Sequence, residues 1–320
     1  MQNSSKDISI VLATYNGSKY LQEQLDSIIQ QTVQPTEIII QDDCSTDETI
    51  IIIQKYFSQL PIQLFINSEN IGYIRNFELA LSKASGTFIA ICDQDDIWEV
   101  NKLELLFNGI KGNSLIYSNS LLIDADGKSL KKTLSEKLKN RFISTHSPLA
   151  FVYDNCVSAH ALLFHHSLLS QLLPFPKNLY FDAWIAANAA SDNGINYLGR
   201  TLVYYRQHTS NTLSKMDKAS LSFKEKTIQK TMKKLQENTS RALIISDVLS
   251  IATLKPYERD LLKKLQLEHS LFPKQWFNFR LLLLLIKNRT TFFAITQRNP
   301  FTLAFKKAIG FKLYRISPFL

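Results

Sequence analysis

The chain has 320 residues, long enough for one large core or two domains, and its 45% hydrophobic content with few Gly and Pro is ordinary for a folded globular protein. Its longest apolar run, Leu281–Ile286, is six residues, far short of the roughly 20 that span a bilayer, so no transmembrane helix is expected. The net charge of +9 is divided: residues 1–212 hold 16 basic and 21 acidic residues (net −5), and residues 213–320 hold 21 basic and 7 acidic (net +14).

In chain order, Ile8–Ala13 is a short apolar run of buried-strand type, followed by turn chemistry at Thr14-Tyr15-Asn16-Gly17. Lys19–Gln31 carries apolar residues at helical spacing. Glu37–Gln41 is a second strand ending in Asp42-Asp43, and Ser45-Thr46-Asp47-Glu48 has the hydroxyls and carboxylates of a helix start. Leu64–Ile66 is a third strand, Asn70-Ile71-Gly72 a turn, Arg75–Ala84 a helix and Phe88–Cys92 a fourth strand. Such alternation predicts an α/β fold: a mostly parallel sheet flanked by helices, with its ligand at the carboxyl ends of the strands.

Farther on, Lys102–Gly109 is expected as a helix, Ser114–Asp124 as a strand with a turn at Asp126-Gly127, Lys128–Ser147 as a mobile loop and Cys156–His165 as a strand. A helix over Ala183–Ala190 and two short strands, Ile195–Leu198 and Thr201–Tyr205, close the body. The domain boundary is placed near Ser214: residues 1–214 as the catalytic domain, 215–320 as a helical basic region.

The chemistry concentrates at Asp93-Gln94-Asp95-Asp96, where an apolar strand ends in three carboxylates within four positions. Carboxylates so close repel unless a cation sits among them. Hard oxygen ligands favour Mg²⁺ or Mn²⁺, ions commonly shared with a phosphate, over zinc. Alone, the stretch fits equally an acidic turn with Asp96 capping the next helix. Convergence of Asn16, Asp42-Asp43 and the acidic turn at one sheet edge favours the metal-diphosphate reading.

These pieces resemble the family 2 inverting glycosyltransferases of glycosyltransferase A fold. The residues that carry the resemblance are Val11–Gly17, Gln41–Thr49, Asn70-Ile71-Gly72 with Asn76-Phe77 and Ala80-Leu81, Asp93–Trp98, Asp182-Ala183-Trp184 and Tyr205-Arg206-Gln207-His208. The last two resemble segments of bacterial surface-polysaccharide and rhamnosyltransferase-like members. The resemblance covers residues 8 to about 212. It implies that Ala13, Tyr15 and Asp43 line the nucleotide base, with Asp42 there too or supporting the turn. Asp95 would contact the metal, Asp93 the ribose or the metal's waters, and Asp182 would be the catalytic base. Arg206, and secondarily Arg75, would meet the diphosphate, and His208 would be a further metal ligand or phosphate donor. Members often carry a histidine or glutamate where this chain has Phe181, a departure next to the base. The Gln-x-x-Arg-Trp signature of processive members is missing, which implies single-sugar addition.

The expected activity is transfer of one hexosyl or deoxyhexosyl group from a UDP- or dTDP-sugar to a glycan or lipid-linked glycan acceptor, with Mn²⁺ or Mg²⁺ as cofactor. The alternatives are a nucleotidyltransferase, for which the glycine-rich basic loop after the first strand is missing, and a nucleic-acid-binding protein, which the acidic body disfavours. Cys44, Cys92 and Cys156 form no metal pattern, and Met1–Asp7 lacks an apolar signal core, so a cytoplasmic enzyme is expected. His160, His165 and His166 show no ligand spacing and are expected to be structural. The basic region, with Phe/Leu and Lys/Arg mixed over Phe301–Leu320, is expected to touch an anionic membrane surface from the inner face, or else to pack on the body or form a homodimer interface.

Overall fold

A computed structural model describes residues 6–208, 240–271 and 277–309. The parallel half holds β1 (Ile8–Thr14), α1 (Leu21–Ile29), β2 (Glu37–Asp42), α2 (Thr49–Gln54), β3 (Ile62–Ile66), α3 (Tyr73–Leu81) and β4 (Phe88–Cys92). Then come β5 (Ile97–Trp98), α4 (Lys102–Gly109), β6 (Leu115–Ile123), β7 (Ser129–Thr133), α5 (Leu134–Leu138), β8 (Leu162–His165), α6 (Leu169–Leu172), α7 (Phe181–Ser191) and β9 (Ile195–Arg206). The nine strands form one sheet in the order β3-β2-β1-β4-β8-β6-β9-β5, with β7 beside β6.

Both faces of the central strands are covered, which is why they read as unbroken apolar runs. Ile8, Ile10 and Leu12 of β1 pack with Leu21, Leu25 and Ile28 of α1 and with Ile52 and Ile53 of α2. Val11, one residue out of phase, packs on the opposite layer with Phe77 and Leu81 of α3 and Trp184 of α7. The period of two along a strand produces this division.

Register then fixes where the ends fall. Thr14 pairs with Asp42, and Leu12 with Cys92, so the loops after β1 and β2 and the acidic turn after β4 emerge at one edge. Beyond β4 the sheet changes character. β8 enters antiparallel between β4 and β6, and β9 runs parallel to β6. The two residues of β5 pair with β9, Ile97 opposite Tyr204, which carries the end of β9 onto the acidic turn.

Several local expectations change. Asp96 caps no helix: β5 follows it, and α4 begins at Lys102 behind Asn101. The Lys128–Ser147 stretch is not a loop throughout. It forms β7 and then α5, whose start is a capping box between Thr133 and Glu136. The strand expected over Cys156–His165 is only Leu162–His165, preceded by a single-turn helix at Ala159–Ala161. The two strands expected after α7 are the single strand β9.

The C-terminal helices are residues 240–249, α8 (Pro256–Leu271), α9 (Phe279–Lys287), α10 (Arg289–Phe292) and α11 (Pro300–Ala308). Their buried residues Val248, Leu262, Leu281, Leu285 and Phe292 join the same apolar core as α3 and α7. The expected boundary near Ser214 and the residues after Ile309 lie outside the described residues. Among the described residues, no helix is long and apolar enough to cross a membrane.

Candidate functional site

The site is built from four loops at the carboxyl edge of the parallel strands. The first two are zipped together. The Asn16 amide donates to Ser45 Oγ (2.9 Å), and Asn16 Oδ1 accepts from the Thr46 amide (2.9 Å). Asn16 and Cys44 both hold positive φ, at 46° and 64°, a conformation that persists only where the surroundings determine it. Asp42 is fully buried. It accepts from Thr14 Oγ1 (2.7 Å) and from the amide and hydroxyl of Ser45 (2.8 and 2.6 Å). Asp42 therefore supports the turn and does not face the crevice. The helix start expected at Ser45 comes later: α2 begins at Thr49, whose amide donates to Asp47.

Asp43 is also buried. It is held by Asn67 Nδ2 (2.8 Å) and by the amides of Ile71 (2.8 Å) and Gly72 (2.9 Å). Gly72 reaches that carboxylate at φ +85° and ψ 151°, a region that side chains avoid, so glycine is required there. Tyr15 stands beside this loop with 46% of its surface exposed, and Ala13 lies one residue before Thr14 at the end of β1, opposite Gln41.

The acidic turn is clamped to the first loop by its second residue. Gln94 Oε1 accepts from the Tyr15 amide (2.9 Å), while Gln94 Nε2 donates to the Tyr15 carbonyl (3.1 Å). A Cβ on Gly17 would lie 2.3 Å from Gln94 Oε1, so the glycine makes room for the clamp. The three carboxylates around Gln94 differ sharply in setting. Asp93 is partly open to solvent, and its Oδ2 lies 3.6 Å from His160 Nδ1. Asp95 Oδ2 lies 2.7 Å from His208 Nε2. Asp96 is fully buried; its Oδ1 accepts from the Arg206 amide (3.1 Å), while Oδ2 has no hydrogen-bond partner and faces His160 Nδ1 at 3.9 Å. Burial and repulsion from Asp93 push the Asp95 carboxyl above its usual range, and the same causes push that of Asp96 up much further. Oxygens of Asp93 and Asp96 and a ring nitrogen of His160 lie within 4.8 Å of one another. Two carboxylates, one with an orphaned buried oxygen, and an imidazole suit a divalent cation.

His160 was expected to be structural; the fold places it inside this cluster. It stacks on Tyr205 at 4.6 Å between ring centroids, and its Nε2 lies 2.9 Å from Ser120 Oγ. The available signal was a lone polar residue inside the apolar stretch Ala159–Phe164. Lys102 is a second residue missed. It is fully buried, donates from Nζ to the His160 carbonyl (2.6 Å) and lies 3.3 Å over the Trp98 ring. Burial pushes its ammonium down to about 7, against the pull of Cys92, Asp96 and Asp93.

Arg206 differs from its expected phosphate role. Only 1% of its surface is exposed. Nε donates to the Asp95 carbonyl (2.9 Å), Nη1 to the Ala125 carbonyl (3.1 Å) and Nη2 to Glu23 (2.8 Å), and the guanidinium lies 4.5 Å over the Tyr20 ring. It braces the acidic turn from behind. Arg75 sits on the exposed side of α3, ion-paired with Glu78 at 2.5 Å. His208 does reach the cluster, through Asp95, with its ring 5.0 Å from that of Tyr20.

Asp182 lies in the first turn of α7, its Oδ1 accepting its neighbour Ala183's amide (2.6 Å). The adjacent Phe181 stacks on Phe77 at 5.2 Å and meets Phe175 at 5.3 Å. This apolar packing and helix start compete, and burial wins: with repulsion from Asp93 added, the Asp182 carboxyl is pushed up to about 6. A carboxyl so tuned, near the acidic turn, has the properties of a general base.

The model of the family "Glycosyl transferase family 2" matches residues 9–172. The chain belongs to glycosyltransferase family 2. An uncharacterized glycosyltransferase, MJ1057 of Methanocaldococcus jannaschii, is 30% identical over 67% of this chain and 76% of its own length. The poly(ribitol-phosphate) beta-N-acetylglucosaminyltransferase TarS of Staphylococcus aureus is 33% identical over 51% of this chain and 30% of its own. The crystal structure of TarS 1–349 in complex with UDP-GlcNAc superposes with a TM-score of 0.60 at 20% identity, covering 83% of this chain and 72% of that one. A mannosyltransferase from Pyrobaculum calidifontis, solved in complex with GDP-Man and Mn²⁺, gives 0.50 at 16% identity, covering 80% and 68%. Both share the glycosyltransferase A fold with this chain. The chain spans 66% of the length of an uncharacterized glycosyltransferase of Nostoc and 27% of that of an uncharacterized protein of Mycobacterium bovis, so it covers less than two thirds of both.

Proposed function

We propose that this protein is an inverting, metal-dependent glycosyltransferase that moves one sugar from a UDP- or dTDP-linked donor to a glycan or lipid-linked glycan acceptor in surface-polysaccharide or glycoconjugate synthesis. The observation that carries the reading is the pairing of the Asp93–Asp96 turn, clamped by Gln94 onto the Tyr15 loop, with Asp182 tuned to about 6 close to it. Fold neighbours solved with UDP-GlcNAc and with GDP-Man and Mn²⁺ support a nucleotide-sugar donor and a divalent cation.

In this reading Tyr15 stacks on the base, and Asp43, fixed by its three donors, accepts from the ring N–H. Asp95 and Asp93 would hold Mn²⁺ or Mg²⁺, with Asp96 and His160 beside Asp93 and His208 beside Asp95 as the further groups able to complete the site. When bound, the ion neutralises charge on the departing nucleoside diphosphate. Asp182 takes the proton of the acceptor hydroxyl as that oxygen attacks the anomeric carbon. The bond to the diphosphate breaks on the opposite face, and the configuration inverts. The exposed rings of Tyr73 and Tyr180 (42% and 71%) give the acceptor sugar an apolar platform near the base.

Calorimetric titration of UDP and dTDP with and without Mn²⁺ tests this. Binding should need the ion and be lost in Asp95→Ala; ion-independent binding, unchanged in the variant, would remove the metal from the reading.

A further inference from the structure

The outer faces of α9 and α11 have a composition that the glycosyltransferase site does not use. The inner face of α9 is already satisfied, with Leu281 and Leu285 fully buried, and on α11 the buried positions are Ala304 and Ala308. Yet the outward positions are also apolar. Phe279 and Leu283, four residues apart on α9, are 63% and 67% exposed; Phe301 and Phe305, equally spaced on α11, are 50% and 52% exposed. The two pairs belong to one surface, because the Phe277 ring lies 4.6 Å from that of Phe279 and 5.3 Å from that of Phe305. A solvated helix would carry polar residues there.

Cations outnumber carboxylates around these rings: the one acidic side chain lining the hollow beside Phe277, Phe279 and Arg280 is Glu268, largely buried and accepting from Asn278. Residues 277–309 contain six Lys and Arg and no Asp or Glu. Arg280 and Lys287 are exposed on α9 beside Phe279 and Leu283. Arg289 lies with its guanidinium 5.0 Å over the Phe301 ring. Next to it, Arg141, Arg289, Thr290, Phe293, Ala294 and Pro300 line an open depression of about 360 Å³. Large apolar side chains flanked by Arg280, Lys287 and Arg289, beside a mainly apolar hollow with two arginines in its lining, match a lipid headgroup layer: rings and leucine enter the acyl boundary while the cations stay with the phosphates.

We propose that α9 and α11 form a docking face for an anionic lipid surface, laying the enzyme on a membrane without spanning it. The proposal concerns a partner of the enzyme; it does not depend on the identity of the donor.

Flotation of the full chain with phosphatidylcholine vesicles, with and without phosphatidylglycerol, tests it. The protein should float with the phosphatidylglycerol vesicles and stay behind with pure phosphatidylcholine. Each cation at such a surface contributes about fivefold, so Arg280→Glu with Lys287→Glu should weaken binding at least about 25-fold, and high salt should do likewise. Phe279→Ser with Leu283→Ser should abolish flotation while circular dichroism and donor turnover stay unchanged. Equal flotation with both vesicle types, no flotation, or flotation untouched by both variants would overturn the proposal. So would a wild-type dimer in sedimentation that Phe279→Ser dissociates, which would make the face a contact between copies, or displacement from vesicles by duplex DNA at equimolar phosphate. Loss of vesicle binding with donor turnover intact would leave the glycosyltransferase reading standing.

Discussion

Replacing Asp182 with Asn should move activity and stability in opposite directions. The folded-state carboxyl is raised from 3.8 to about 6 by burial and by Asp93. The folded protein therefore binds this proton more tightly than the unfolded chain does. The carboxylate weighs against folding at pH above 6, and that penalty fades as pH falls through 6 toward 3.8. Asp182 is only partly buried, so screening by solvent leaves a cost on the order of 1–2 kcal/mol at neutral pH. Asn is neutral and nearly isosteric, so Asp182→Asn should be more stable than the parent by about that much at neutral pH, with the gain shrinking on acidification. As general base, Asp182 must be ionised, so kcat/KM should fall about tenfold per pH unit below 6. The variant should lose about 10²–10⁴ in transfer and lose that acidic limb altogether, while its affinity for the nucleotide stays the same. Initial rates across pH and thermal melts at matched pH measure both effects. Transfer within a few-fold of the parent, with the acidic limb intact, would remove Asp182 from its role; a variant less stable at neutral pH would show that the carboxylate is not strained by burial.

Arg206→Ala leaves the carbonyls of Asp95 and Ala125 without their donor, at about 1–3 kcal/mol each; it should lower the melting temperature and weaken Mn²⁺-dependent nucleotide binding, while Arg206→Lys restores part of both. His160→Gln should weaken Mn²⁺-supported nucleotide binding by about 10–100-fold with the fold intact, as read by calorimetry; an unchanged affinity would return His160 to a purely structural place. Stripping divalent ions with a chelator should abolish transfer reversibly, and adding Mn²⁺ should raise the melting temperature of the parent but not of Asp95→Ala. Tyr180→Ala should raise the acceptor KM several-fold with kcat and donor KM little changed; a matched loss for the donor would place the ring elsewhere.

The first half of the fold was legible because its strands are buried on both faces. Ile8–Thr14, Glu37–Asp42 and Phe88–Cys92 are apolar runs that stop abruptly at polar loops, and those loops are the site. The second half was less so, because its order in space departs from its order in sequence. β8 slips between β4 and β6, and the two-residue β5 brings β9 to the acidic turn. Neither pairing leaves a periodic trace. The capping box at Thr133–Glu136 was visible as a Thr-x-x-Glu signal inside a polar stretch that otherwise suggested a loop. Within the site, residue type suggested Asp93, Asp95 and Asp182, while burial decided the rest. Arg206 has the chemistry for a phosphate, and the fold spends it on bracing the turn. Asp96 has the chemistry of a helix cap, yet it lies fully buried beside His160. Sequence names a side chain's capacities, and only packing decides which of them faces the crevice.

The most direct measurement is release of nucleoside diphosphate from a panel of UDP-, dTDP- and GDP-sugars with Mn²⁺ and no acceptor, because slow donor hydrolysis needs only the donor site. The account predicts turnover of at least one UDP- or dTDP-sugar, lost in Asp95→Ala. It is contradicted if no donor in the panel is hydrolysed and Asp95→Ala binds nucleotide and Mn²⁺ as the parent does.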